Sequence, residues 1–82
     1  MANPDVCDSF TARRGERVNF SNSTGKACSL EQGPTVWPFT DGPPLPVPTT
    51  GATTHIAVGT GVYTYDAKCC GDIESQKSVT VP

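Results

Sequence analysis

Four cysteines in 82 residues, two of them adjacent, constrain this chain more than any other feature. A domain of this size buries only about 60% of the surface that its unfolded chain exposes, so one hydrophobic core has little margin and extra fastening is expected. Cys7, Cys28, Cys69 and Cys70 are even in number, and each bridge closing a loop of this size typically adds roughly 2–4 kcal/mol. Paired cysteines belong in an oxidising compartment, which makes a secreted or periplasmic protein the expectation. Met1-Ala2-Asn3-Pro4 has neither the charged start nor the apolar run of a signal peptide. Met1 therefore reads as an added start, residues 1–4 are expected to be disordered, and the export signal is expected to lie outside this chain.

No window carries a sustained 3.6-residue apolar repeat, whereas short runs of β-branched and aromatic residues alternate with polar ones between Gly, Pro, Asn and Asp. The chain reads as all-β and as one domain over residues 1–82, without internal repeats. A weak run covers Val6 to Thr11. A clear one covers Arg17 to Asn22, with Val18 and Phe20 on one face and Gly15 supplying the turn before it. Thr54–Val58 and Val62–Ala67, joined by Gly59-Thr60-Gly61, predict a tight hairpin. Lys77–Val81 alternates again, stops at Pro82 and is expected to close one sheet.

Residues 23–51 read as a long loop with short strands around Cys28–Leu30 and Thr35–Phe39. Within it, Gly42-Pro43-Pro44-Leu45-Pro46-Val47-Pro48 favours polyproline II and is able to dock on an aromatic groove, although a stiff crossover is the preferred reading.

Composition excludes several classes. Six Lys and Arg against eight Asp and Glu leave no basic footprint for nucleic acid or an anionic membrane. No stretch approaches the roughly 20 apolar residues of a membrane span. Eight Gly and eight Pro stay below the proportion at which disorder becomes the default, so a folded, turn-rich chain is expected. As a domain it is expected to be monomeric.

Gly15-Glu16-Arg17-Val18-Asn19-Phe20-Ser21-Asn22 resembles the cupredoxin (plastocyanin/azurin-type) pattern in which a Gly-acid turn opens an alternating strand ending in Asn. Gly61-Val62-Tyr63-Thr64-Tyr65 is similar to the Gly-x-Tyr-x-Tyr strand of the same family. The resemblance spans about residues 8 to 81 and implies a small antiparallel Greek-key β-sandwich. It also places the copper ligands, and here they are missing. Cys28 stands at the position of the first His ligand, Ala67 at that of the Cys, Cys70 at that of the second His, and no Met follows Met1.

A type 1 copper site needs two His and a Cys with a weak axial ligand, and this chain has one His, so blue-copper electron transfer is not expected. His55 is out of phase with Ile56 and Val58 and is expected to face solvent. By the resemblance, Cys28 and Cys70 replace two ligands that converge on one metal. It thus implies a Cys28–Cys70 disulfide in place of the ion, with Cys69 pointing the other way on an extended segment and reaching Cys7. Four cysteines allow three connectivities; Cys7–Cys28 with Cys69–Cys70 is the least comfortable, and Cys7–Cys70 with Cys28–Cys69 stays open.

No cofactor is expected. The alternative is a thiolate site for zinc or copper built from Cys28, Cys69, Cys70 and Cys7, against which stand the missing Cys-x-x-Cys spacing and the vicinal pair. A second alternative, a thiol redox protein, has only Lys68 beside Cys69 as a cue. No Ser/His/Asp set, phosphate loop or paired-carboxylate motif stands out, so no enzyme is expected, and Asp72 and Glu74 read as exposed loop acids. Asn19-Phe20-Ser21 and Asn22-Ser23-Thr24 match the N-glycosylation triplet, a pattern that often arises by chance.

Together these features predict a non-catalytic structural or binding module of an exported protein. The resemblance implies contact with a protein or glycan at the cysteine end, through Trp37, Phe39, Pro44, Leu45 and Pro46, although filling the core is the preferred role for Trp37 and Phe39.

Overall fold

The structure, a computed structural model, describes residues 1–71 and 75–82; Asp72 and Glu74, read above as loop acids, lie outside the described residues. It is all-β. The strands are β1 (Phe10–Thr11), β2 (Arg17–Phe20), β3 (Cys28–Gln32), β4 (Leu45–Val47), β5 (Ala52–His55), β6 (Gly61–Ala67) and β7 (Gln76–Val81). A five-stranded sheet has the order β1-β7-β6-β3-β4, and β2 and β5 form a two-stranded one.

The alternation in β2 is realised as expected, with Val18 and Phe20 buried and Arg17 exposed. Gly15 makes the turn before it at φ 79°, where a side chain would be strained, and its N–H donates to Ile56 O at 2.9 Å. The expectation of disorder at residues 1–4 is corrected. Ala2 N–H donates to Arg17 O (2.9 Å) and Ala2 O accepts from Asn19 N–H (2.8 Å), laying the N-terminus parallel to β2. This segment ends in the fully buried Val6, whose burial anchors it.

The hairpin expected between residues 54–58 and 62–67 does not form: β5 belongs to the small sheet and β6 to the large one. Both flanks of the β5 segment are already occupied. On one side it pairs with β2; on the other, Thr40 N–H donates to His55 O (3.0 Å) and Ala57 N–H to Pro38 O (2.8 Å). Gly59-Thr60-Gly61 therefore carries the chain from one sheet to the other, and Tyr63 OH pins this crossing by donating to Gly59 O at 3.0 Å. β6 instead lies between β3 and β7, antiparallel to both.

The antiparallel expectation is corrected at β1, which runs parallel to β7 with Phe10 opposite Val79. The expected crossover through the Pro-rich segment is also corrected, because Leu45-Pro46-Val47 is an edge strand antiparallel to β3. Leu45 and Val47 point inward and Pro46 outward. An edge position tolerates a residue with no N–H to donate. Gly33 ends β3 where a Cβ would come within 2.7 Å of Thr64 O, so the close approach of the β3 and β6 backbones requires glycine.

The buried faces of both sheets share one core, from Val6 to Val81, that includes Leu30, Val47, Ile56 and Val79. Its centre is a chain of edge-to-face aromatic contacts: Phe10 on Phe20 (5.7 Å between centroids), Phe20 on Phe39 (5.5 Å) and Phe39 on Tyr65 (5.2 Å). Trp37 caps the chain, 5.3 Å from Phe39. Phe39 (3% exposed) fills the core, as its preferred role had it, and the partner surface assigned above is corrected by the loss of both Phe39 and Leu45 (6%), which are core residues. Trp37 is half-buried with Nε1–H on Asp41 O (2.8 Å), and Pro44 and Pro46 are exposed.

The Tyr65 hydroxyl is buried with no hydrogen-bond partner among the described residues. Its burial, with Asp8 adding to the effect, pushes the phenol well above the usual range. Tyr65→Phe is therefore expected to raise the free energy of unfolding by about 1 kcal/mol, since it removes a desolvated polar group and keeps the ring. Urea unfolding would show this as a higher midpoint with unchanged slope; a lower midpoint would mean that the hydroxyl is satisfied.

Candidate functional site

The four cysteines meet at one end of the molecule, and strand register decides how they pair. In the β3–β6 ladder Leu30 stands opposite Ala67, and Lys68 N–H donates to Ser29 O (3.1 Å), extending the ladder beyond β6. The following position sets Cys69 opposite Cys28, and these two are bonded with Cα atoms 5.1 Å apart. At this point the chain turns, with Cys70 N–H donating to Ala67 O at 3.2 Å. Cys70 consequently bonds Cys7, with Cα atoms 5.4 Å apart.

The pairing implied by the resemblance, Cys28–Cys70 with Cys7–Cys69, is thereby corrected to the connectivity that residue spacing had left open. The opposite orientation expected of Cys69 and Cys70 is corrected too. Because residues 67–70 form a turn rather than an extended segment, the two Sγ atoms lie only 3.7 Å apart. The Sγ atoms of Cys7, Cys69 and Cys70 all fall within 4.8 Å of one another, and no histidine or carboxylate joins them among the described residues. His55 is exposed on β5, opposite Arg17, as its phase predicts.

Asp5 positions Cys7. Its carboxylate accepts from Cys7 N–H (3.3 Å), Ser23 N–H (3.0 Å) and Ser21 Oγ–H (3.3 Å). Partial burial pushes the Asp5 carboxyl up, but the hydrogen bonds, led by that from Cys7 N–H, outweigh it and hold the group below the usual range. A depressed folded value means stability that is present above the unfolded carboxylate range and lost as pH falls through the folded one. Asp5→Asn should cost on the order of 0.5 kcal/mol at pH 7, because solvent screens so accessible a group. The deficit should vanish by about pH 2; a pH series of thermal melts in which it persists would show that charge is not the cause.

An open cleft borders the Cys28–Cys69 bridge, lined by Lys26, Ala27, Ser29 and Lys68 together with the two cysteines. The backbone at Lys26 is held by Asn22 Nδ2–H (2.8 Å) and Thr24 Oγ1–H (2.9 Å), both donating to Lys26 O. Asn22 Nδ2 also donates to Val47 O (3.0 Å), so the amide of the Asn22-Ser23-Thr24 triplet is committed inside the fold. The Asn19 amide is engaged as well, donating to Asn3 Oδ1 at 3.2 Å.

Sequence reasoning noted Lys68 only as the neighbour of Cys69 and missed Lys26. No sequence signal joins them, because only the β3–β6 ladder brings the loop before β3 and the end of β6 to one place. Val47 stands opposite Cys28, so the Pro-rich edge strand runs into the same end of the molecule. No protein-family model matches this sequence, and a search of curated proteins finds no match.

Proposed function

We propose that this chain is a cupredoxin-like Greek-key sandwich without a blue-copper centre, acting as a non-catalytic structural or binding module of an exported protein. The observation that carries the reading is the joining of all four sulfurs in two adjacent bridges at one end, with the single histidine exposed on another strand. Two further features support it. The chain passes from β2 into the large sheet at β3 and β4, back to the small sheet at β5, and out again at β6 and β7, so its connections cross between two sheets as a sandwich requires. Two disulfides within one small chain suit an oxidising, extracellular compartment.

The surface we assign to a protein or glycan partner is the cysteine end with Trp37, Pro44 and Pro46. Trp37, the one tryptophan, lies on the same 37–48 segment as Pro44 and Pro46 and serves as the probe. Binding to arrayed glycans and extracellular proteins, followed by Trp37 emission, is expected to be saturable and weakened in Pro44→Ser/Pro46→Ser. Saturable binding that this variant leaves unchanged would remove the assignment.

A thiolate zinc or copper site is the second reading, favoured by the convergence of the Cys7, Cys69 and Cys70 sulfurs. It requires both bridges to be reduced. Free-thiol titration under denaturing conditions, with elemental analysis of protein purified without chelator, separates the two. The module predicts no titratable thiol and no bound metal. Four thiols with stoichiometric zinc or copper would replace it by the carrier.

A further inference from the structure

We propose that the Cys28–Cys69 bridge is a thiol–disulfide exchange site selective for small anionic thiols, with Lys26 and Lys68 as the groups that recruit them. The cleft reaches this bridge and does not involve Cys7 or Cys70. Two of the chain's six cations line it, and no carboxylate does among the described residues. The molecule carries net charge −2, so attraction of an anion here comes from local placement and not from overall charge. Both lysines are exposed, while hydrogen bonds fix the backbone beneath each, through Lys26 O on one side and Lys68 N–H on the other.

Accessibility sets the direction of attack. Cys28 is 4% exposed and Cys69 is only partly buried, so the incoming thiolate bonds to Cys69 Sγ. The Cys28–Cys69 bond breaks, and its electron pair leaves on Cys28 Sγ, which then takes a proton from solvent. A second thiolate attacks the external sulfur of the mixed disulfide, forms the small-molecule disulfide and releases Cys69 as a thiolate. Two small thiolates are oxidised and one protein disulfide is reduced. Nearby cations favour both the approach of an anionic nucleophile and the departure of a thiolate, which is how lysine neighbours make a cysteine pair reactive.

The test uses the intact oxidised protein with mercaptoacetate and cysteamine, quenched by alkylation and mapped for each bridge. The quantity read is the ratio of the two opening rates at Cys28–Cys69, per thiolate present. Comparing that ratio with the one in Lys26→Gln/Lys68→Gln cancels the intrinsic nucleophilicity of each thiol. At low ionic strength the ratio should fall about tenfold in the variant, the lower end of what a cleft of one sign contributes to encounter rates. In 1 M salt the drop should shrink to less than about twofold, since charges are then screened within about 3 Å. Circular dichroism of the variant should match wild type, because both lysines are on the surface. A ratio that both proteins share, or a Cys7–Cys70 bridge that opens first, overturns the proposal.

Discussion

Cys28→Ala/Cys69→Ala is expected to lower the free energy of unfolding by about 4 kcal/mol, the loop-entropy value for a closure of this span. The bridge joins positions 41 residues apart, and Cys7–Cys70 joins positions 63 apart, for which the same relation gives only a few tenths more. A domain of this length has a total stability of about 4–12 kcal/mol, so either loss leaves a marginal fold. The Cys28–Cys69 loop lies inside the Cys7–Cys70 loop, so each bridge shortens the loop that the other closes, and the fully reduced protein should lose more than the two pair variants lose in sum. Urea unfolding of each pair variant and of the fully reduced protein measures this. The reduced protein should be largely unfolded at 37 °C; a loss below about 1 kcal/mol for either pair would show that the bridge is not a fastener.

Phe39→Ala should cost about 3–5 kcal/mol, the range for removing a buried aromatic ring. Phe39 is the junction of the aromatic chain, touching Phe20, Tyr65 and Trp37, so its loss leaves a cavity that rigid rings on three sides cannot fill. Phe39→Leu should recover part of the loss. Trp37 gives an independent reading, because its ring packs on Phe39: its emission should shift to the red in the alanine variant while the β-sheet circular dichroism is retained. Exposed Phe39 would instead give a loss below about 0.5 kcal/mol, as at ordinary surface positions.

Much of the local structure was legible in the residues. The alternation of Val18 and Phe20 placed β2, the turn at Gly15 formed where glycine freedom was needed, and His55 faced solvent because it falls out of phase with Ile56. Each depends on neighbours within a few positions. β4 was missed because four prolines around Leu45 mask a strand signal, which becomes visible only once β3 is there to accept an edge partner. The hairpin at Gly59–Gly61 failed for the same kind of reason. Its two strands have the right local chemistry, but residues 38–40 had already taken the flank of β5 that a hairpin needs.

The candidate site divides along the same line. Four cysteines in so short a chain were enough to call for two covalent fasteners, since a core this small has little stability to spare, and the alternating runs were enough to make the chain all-β. Which sulfurs bond, and which lysines stand beside them, was set only by tertiary structure. Cys69 faces Cys28 because the β3–β6 register continues past Ala67, and Cys70 reaches Cys7 because the chain turns there and the N-terminus is held along β2. Register is a relation between strands distant in sequence, and a shift of one residue in either direction would take Cys69 away from Cys28.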